Sequence, residues 1–171
     1  MRLKDFVREI PDFPKPGVLF RDITPLLRNP AALHLAISKI AERIQDYEFE
    51  LIAAPEARGF ILGAALAYHL GIGLIPIRKP NRLPAQTIAS SYQLEYGENQ
   101  LFMHKDAIQP GQRVLIVDDI LATGGTVKAC CELVEQVGGE VSVCAFLIEL
   151  AGLNGRQQLA KYPLETELVY K

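Results

Sequence analysis

The run Arg113-Val114-Leu115-Ile116-Val117 constrains this chain more than any other segment. Its apolar residues do not alternate with polar ones, as expected of a strand buried on both faces of a parallel sheet. Such a strand needs helices on both sides, and the neighbouring sequence supplies candidates. Val127, Cys130, Cys131, Val134 and Val137 recur at helical spacing, and Gly138-Gly139 ends that pattern. Upstream, Leu51–Pro55 reads as a short strand, Gly59–Leu70 as a helix and Gly73–Ile77 as a further strand. Asn29-Pro30, a cap followed by a proline at the first helical position, opens an amphipathic helix carrying Leu33, Ile37, Ile40 and Ile44. Val141–Leu147 is another strand. The pattern predicts an α/β domain with an open, mostly parallel sheet flanked by helices. Ligands of such sheets bind beyond the carboxyl ends of the strands.

Three segments stand outside this alternation. The first 28 residues carry Leu3, Phe6, Val7 and Ile10 at helical spacing, then the proline-rich turn PDFPKPG. Residues 78–100 are polar with few core signals, long for a loop in a compact domain, and loops of that kind often act as lids. The last segment holds a short helix and Leu168–Tyr170, with no clear place in the sheet.

No repeat or linker divides the chain, so residues 1–171 read as one domain. The net charge of −2 argues against nucleic acid as a partner. Cys130, Cys131 and Cys144 are odd in number and lack metal-ligand spacing, which points away from a disulfide framework or a zinc site and towards a reducing cytoplasm. The opening residues contain no apolar core of a signal peptide. Phe60–Ile77 is uncharged and near membrane-helix length, but Gly63, His69, Gly71, Gly73 and Pro76 interrupt it, so a helix, turn and strand are expected and no membrane span.

The chemistry follows the buried strand. Asp118 and Asp119 stand at its carboxyl end, where their carboxylates can accept hydrogen bonds from sugar hydroxyls or meet a metal ion. Ile120, Leu121 and Ala122 lead to Thr123-Gly124-Gly125-Thr126 at the start of the next helix. A helix N-terminus offers unpaired N–H groups and a positive dipole end to a phosphate. The glycines let backbone approach an anion without a Cβ, and the threonines add hydroxyl donors. A ribose held by acids with its 5-phosphate in the adjoining loop fits this order. A Walker-type nucleotide site does not, because neither G-x-x-x-x-G-K-[ST] nor a complete G-x-G-x-x-G is present.

The stretch VLIVDDILATGGT resembles the phosphoribosyl-pyrophosphate (PRPP) signature of the type I phosphoribosyltransferases. FPKPGVLFRDITPLL, PEARGF, IRKPNRLP and SYQLEYG resemble the adenine-specific branch of that family, in the same order and at comparable spacing. The resemblance runs from about Phe13 to Glu149. It implies the type I phosphoribosyltransferase fold, with a small N-terminal hood over residues 1–28 and a flexible active-site loop over residues 78–100. It also implies the reaction of adenine with PRPP to give AMP and pyrophosphate, Mg²⁺ carried by PRPP with no direct protein ligand, and a homodimer.

Residue roles follow from the same resemblance. Ala122, Thr123, Gly124, Gly125 and Thr126 would hold the 5-phosphate, and Asp118 and Asp119 the ribose hydroxyls. Arg58 would serve pyrophosphate and catalysis, with Arg78, Lys79 and Arg82 adding positive charge. Adenine enzymes often carry aspartate then serine where this chain has Glu56-Ala57, which removes a hydroxyl donor from the pyrophosphate loop. Glu95 would handle the purine N7 proton, Phe20 would stack on adenine, and Leu19 and Arg21 would read its edge through backbone groups. His104 is open between a pyrophosphate contact and a structural role; His34 and His69 read as packing or surface residues. The PRPP motif alone does not choose a base. A transferase for another base and a PRPP-sensing regulator remain the alternatives. A regulator, however, would be expected to carry an appended DNA-binding module, for which the N-terminal segment is too short.

Overall fold

The computed structural model describes residues 1–93 and 98–171. Its contacts divide the chain into two units, residues 1–39 and 40–171.

The first unit opens with a 3-10 turn, Leu3–Phe6, and an antiparallel hairpin of β1 (Arg8–Pro11) and β2 (Leu19–Asp22). The helical spacing of Leu3, Phe6, Val7 and Ile10 is therefore not one helix. After a single 3-10 turn, the β1–β2 ladder takes up the backbone of Ile10 opposite Phe20. The proline-rich segment is the hairpin connection, closed by the Gly17 amide donating to Asp12 Oδ1 at 2.7 Å, with Gly17 at φ +85°. Asp22 is buried, accepts two bonds from Arg8, and receives the Thr24 amide and hydroxyl at the start of α1 (Thr24–Arg28). Helix α2 (Pro30–Ile44) is capped as expected, the Ala32 amide donating to Asn29 Oδ1 at 3.0 Å.

In the second unit, β3 (Leu51–Pro55), β4 (Gly73–Ile77), β7 (Arg113–Leu121), β8 (Glu140–Leu150) and β9 (Leu164–Tyr170) form a parallel sheet in the order β4-β3-β7-β8-β9. Helix α3 (Arg58–Leu70) joins β3 to β4, and α4 (Gly125–Gln136) joins β7 to β8. The chain moves outward from β3 in one direction and from β7 in the other, so the strand order reverses between them. That reversal is where open α/β sheets bind ligands.

The buried run is longer than its apolar residues suggested. Strand β7 continues through Asp118 and Asp119 to Leu121, pairing with β8 all the way. One sheet face packs Val114, Ile116, Cys144 and Phe146 against Val127, Cys130, Cys131 and Val134 of α4. Full burial of each aliphatic side chain there contributes about 1.5–3 kcal/mol. The three thiols lie in this layer, fully buried, with Cys131 Sγ 3.6 Å from Cys144 Sγ. Burial and neighbouring negative charge hold the Cys130 thiol well above its ordinary range.

The stretch expected as a loop over residues 78–100 also differs. It contains β5 (Thr87–Gln93) and the start of β6 (Glu98–His104), an antiparallel pair outside the main sheet. Leu101 and Met103 are buried, and the inward Ser90 hydroxyl donates to Glu132 Oε2 of α4 at 2.6 Å. Gln136 Nε2 of α4 donates to the Ala89 carbonyl at 3.2 Å. A short helix α5 (Gly155–Gln158) lies between β8 and β9, so the C-terminal segment ends as an edge strand of the sheet. Among the described residues no helix is long and apolar enough to cross a membrane.

Candidate active site

Parallel neighbours β3 and β7 end side by side, and their connections carry the candidate chemistry. The turn after β3 brings Arg58 to the first residue of α3, and its guanidinium pairs with the Asp119 carboxylate. Asp119 is buried, whereas Arg58 is nearly half exposed. Gly59 is required by this meeting. A Cβ there would stand 3.0 Å from Asp118 Oδ1 and 3.0 Å from the Pro55 ring. The pyrophosphate and ribose candidates thus converge at the reversal of strand order.

The two carboxylates are not equivalent. Asp118 Oδ1 accepts the Asp119 amide at 2.8 Å. Burial and the adjacent negative charge of Asp119 push the Asp118 carboxyl well above its usual range, against the opposing pull of that amide and of Arg58. Arg58 stands beside this acid pair as its counter-charge.

Glu56 gives the Glu56-Ala57 departure a structural meaning. Its Oε1 accepts the Lys79 amide at 2.9 Å and Arg78 Nε at 3.2 Å, tying the β3 turn to the exit of β4. Burial tends to raise the Glu56 carboxyl, but these bonds and the charges of Arg78 and Lys79 hold it below its ordinary value. Arg78 also donates to the Arg82 carbonyl at 3.3 Å and lies 5.8 Å from the Phe60 ring centroid. Arg78 is therefore an anchored cation, while the Lys79 and Arg82 side chains stand exposed.

Beyond β7, Ala122 and Thr123 form a bend and α4 begins at Gly125. Gly124 occupies the N-cap position at φ +87°, and among the described residues no side chain caps the helix. The first-turn N–H groups are thus left to meet an anion, with no acidic residue in that turn to oppose one. The reason for glycine differs from the expected anion clearance. The place of a Gly124 Cβ is filled by the Gly155 carbonyl, 2.6 Å away, and by Gln158 Cβ at 3.0 Å. At Gly125 a Cβ would touch the Tyr92 ring of β5 at 3.4 Å. Packing against the Gly155 backbone selects glycine at 124, whereas a Cβ at 125 would make only ordinary contact with Tyr92. Sequence reasoning missed Gly155 and Tyr92 because contacts between distant segments leave no local pattern.

In the first unit, Leu19 is exposed and Phe20 half-buried in β2, with the Phe13 ring edge-on to Phe20 at 5.1 Å. Arg21 pairs with Glu9 across the hairpin. His104 Nε2 accepts the Ala85 amide at 3.3 Å, which favours a structural role. His34 and His69 are exposed. Glu95 falls within 94–97, outside the described residues.

The phosphoribosyl transferase domain family matches residues 22–167. The adenine phosphoribosyltransferase of Thermotoga neapolitana is 56% identical over 99% of this chain and 100% of its own length. That of Thermotoga maritima is 58% identical, over 98% of this chain and 97% of its own. The crystal structure of the Thermoanaerobacter pseudethanolicus adenine phosphoribosyltransferase superposes with a TM-score of 0.97 at 51% identity, covering 98% of each chain. The Saccharomyces cerevisiae enzyme, complexed with an imino-altritol bisphosphate and adenine, gives 0.90 at 38% identity, covering 95% of this chain and 94% of its own. By this extent of likeness the chain belongs to the adenine phosphoribosyltransferases, within the phosphoribosyltransferase family.

Proposed function

We infer that the chain joins adenine to the ribose 5-phosphate of PRPP, giving AMP and pyrophosphate in purine salvage. The observation that carries this reading is the meeting of Arg58 and Asp119 at the strand-order reversal, beside the uncapped α4 N-terminus. Ala122–Thr126 take the 5-phosphate through helix N–H groups and the Thr123 and Thr126 hydroxyls. Asp118 and Asp119 hold the ribose hydroxyls. Arg58, anchored Arg78, Lys79 and Arg82 supply positive charge to the departing pyrophosphate.

The bond from C1 of the ribose to the pyrophosphate oxygen breaks, and the oxygen keeps the electron pair. Adenine N9 forms the new bond to C1, and Glu95 takes the purine N7 proton. Phe20 stacks on the base, and the Leu19 and Arg21 backbones read its edge, on the strength of the family resemblance. The chain's own contribution is mostly positioning and charge stabilisation.

Mg²⁺ suits the donor set as a metal that arrives on the substrate. Mg²⁺ is commonly held by one or two carboxylates together with substrate phosphates. Here the ion is assigned to the PRPP phosphates with no direct protein ligand, and bound there it would neutralise charge on the leaving group. A cytoplasmic homodimer is the setting the family likeness supports, and sedimentation would test the dimer.

The deciding experiment is AMP formation from adenine and PRPP, with and without Mg²⁺, beside hypoxanthine, guanine, xanthine and orotate. Mg²⁺-dependent AMP synthesis with adenine preferred is expected. Preference for another base would overturn the adenine assignment, and no product with any base would overturn the transferase reading.

A further inference from the structure

Leu121, the last residue of β7, pairs with Glu149 near the end of β8. The chain then turns through a 3-10 segment, Ala151–Leu153, and a left-handed Asn154 (φ 54°), returning as Gly155 beneath the loop that follows Leu121. The approach is reciprocal. A Cβ on Gly124 would stand 2.6 Å from the Gly155 carbonyl oxygen, and one on Gly155 would overlap the Ala122 carbonyl and stand 2.8 Å from Leu121 Cδ1. Both glycines are buried. Two stretches of backbone thus lie against each other with no space for a side chain on either.

A polar clamp holds the returning segment. Arg156 Nε and Nη2 donate to the two oxygens of Glu149, each at 2.7 Å, and the Thr166 hydroxyl of β9 adds a bond to Glu149 at 3.0 Å. The Glu149 and Thr166 residues are buried. Arg156 hydrogen bonding, against the opposing effect of burial and with help from Thr166, holds the Glu149 carboxyl below its ordinary value. The fork geometry fixes the direction of Arg156 as well as its distance, and lysine cannot reproduce it. The residue next to Gly155 is therefore locked to the strand position next to the root of the loop.

We propose that Gly155 is a positioning residue for the phosphate loop, held by the Glu149–Arg156–Thr166 clamp so that its backbone sets the course of Ala122–Gly124. The proposal rests on the assignment of Ala122–Thr126 to the 5-phosphate. None of the clamp residues touches substrate in this scheme. They act through the direction in which the loop and the first N–H groups of α4 point.

The test measures ribose 5-phosphate binding by calorimetry, together with PRPP and adenine KM, kcat and thermal midpoint, for wild type, Gly155→Ala, Arg156→Ala and Arg156→Lys. Gly152→Ala is the control from the same segment, since a Cβ there meets nothing within 4 Å. Gly155→Ala is expected to raise the ribose 5-phosphate Kd and the PRPP KM about tenfold, since misplacement by ~1 Å can cost on the order of 100-fold. The adenine KM and the kcat at saturating PRPP stay within about twofold. Arg156→Ala moves the same two constants, Arg156→Lys recovers part of the loss, and Gly152→Ala matches wild type. If Gly155→Ala yields no folded protein, the two Arg156 variants carry the decision. Variants that melt earlier yet bind ribose 5-phosphate as wild type would show a merely structural clamp and overturn the proposal. Wild type that forms AMP but gives no ribose 5-phosphate heat overturns the loop assignment and the proposal with it, whereas failure to form AMP with intact ribose 5-phosphate binding touches only the proposed reaction.

Discussion

The loops at the ends of β3 and β7 and the β5–β6 hairpin are both candidate parts of one active site, yet they are held differently. The loops grow from adjacent strands of the parallel sheet, and neighbouring groups press on them at Gly59 and Gly124. The hairpin stands outside that sheet and is tied at its base, by Ser90 to Glu132, Ala89 to Gln136 and a backbone bridge from Arg78 to Phe102. On the proposed roles, phosphate and ribose recognition falls on the sheet-edge loops, and proton handling falls to Glu95, outside the described residues.

If this division holds, the two regions respond to substitution in different kinetic constants. The largest effect is expected for Asp119→Asn, which removes the charge facing Arg58 in a buried setting. The kcat/KM for PRPP should drop on the order of 1,000-fold, as for loss of a buried electrostatic contact in a site; wild-type kinetics would make the acid pair structural. Glu95→Ala should lower kcat about 100-fold, the low end for general acid–base catalysis, with the PRPP KM little changed. A rise in the PRPP KM instead would place Glu95 with the phosphate contacts and break the comparison. The double change Thr123→Ala with Thr126→Ala should raise the PRPP KM about 30-fold, from two hydroxyl donors of roughly 1 kcal/mol each, and leave kcat in place. Ser90→Ala leaves the Glu132 carboxylate without its hydroxyl partner, and a loss of about 1 kcal/mol in a denaturant melt is expected with the PRPP KM untouched.

The smallest effect is a pH dependence. Glu149 has a folded-state carboxyl below its ordinary value, so its contribution is complete above the unfolded glutamate range and fades as the pH falls through the folded value. Melting curves from pH 7 down to pH 3 should therefore be less acid-sensitive for Glu149→Gln than for wild type. Equal slopes would remove Glu149 from the acid-labile set.

What the sequence disclosed follows the range of the interactions involved. Leu51–Pro55 and Gly73–Ile77 are readable to the residue from their apolar runs, although only the first is buried along most of its length; in the edge strand β4, expected to be buried, only Ile75 and Ile77 are. At Asp118 the apolar signal stops while the β8 ladder continues, so the strand outlasts its own pattern. Residues 87–104 hide a hairpin because an inward position carries Ser90, paired with Glu132, where an alternating pattern would show an apolar residue. The buried Leu101 and Met103 were the available sign. At the N-terminus, Leu3, Phe6, Val7 and Ile10 satisfy a helical spacing that strand pairing overrides. The candidate site residues were legible as types in order, since Asp118-Asp119 and the glycine-rich turn come at the end of an apolar strand run. Their mutual contacts were not, because Arg58 with Asp119 and Gly124 with Gly155 depend on where distant segments meet.

The thiols of Cys130, Cys131 and Cys144, enclosed between α4 and the sheet, make the protein a reporter of its own opening. Alkylating reagents reach sulfur only when that layer parts, so the rate of labelling reads how often it does so. Accelerated labelling without loss of the fold would reveal excursions of α4, the helix whose first turn is proposed to hold the 5-phosphate. Cysteine chemistry here measures breathing.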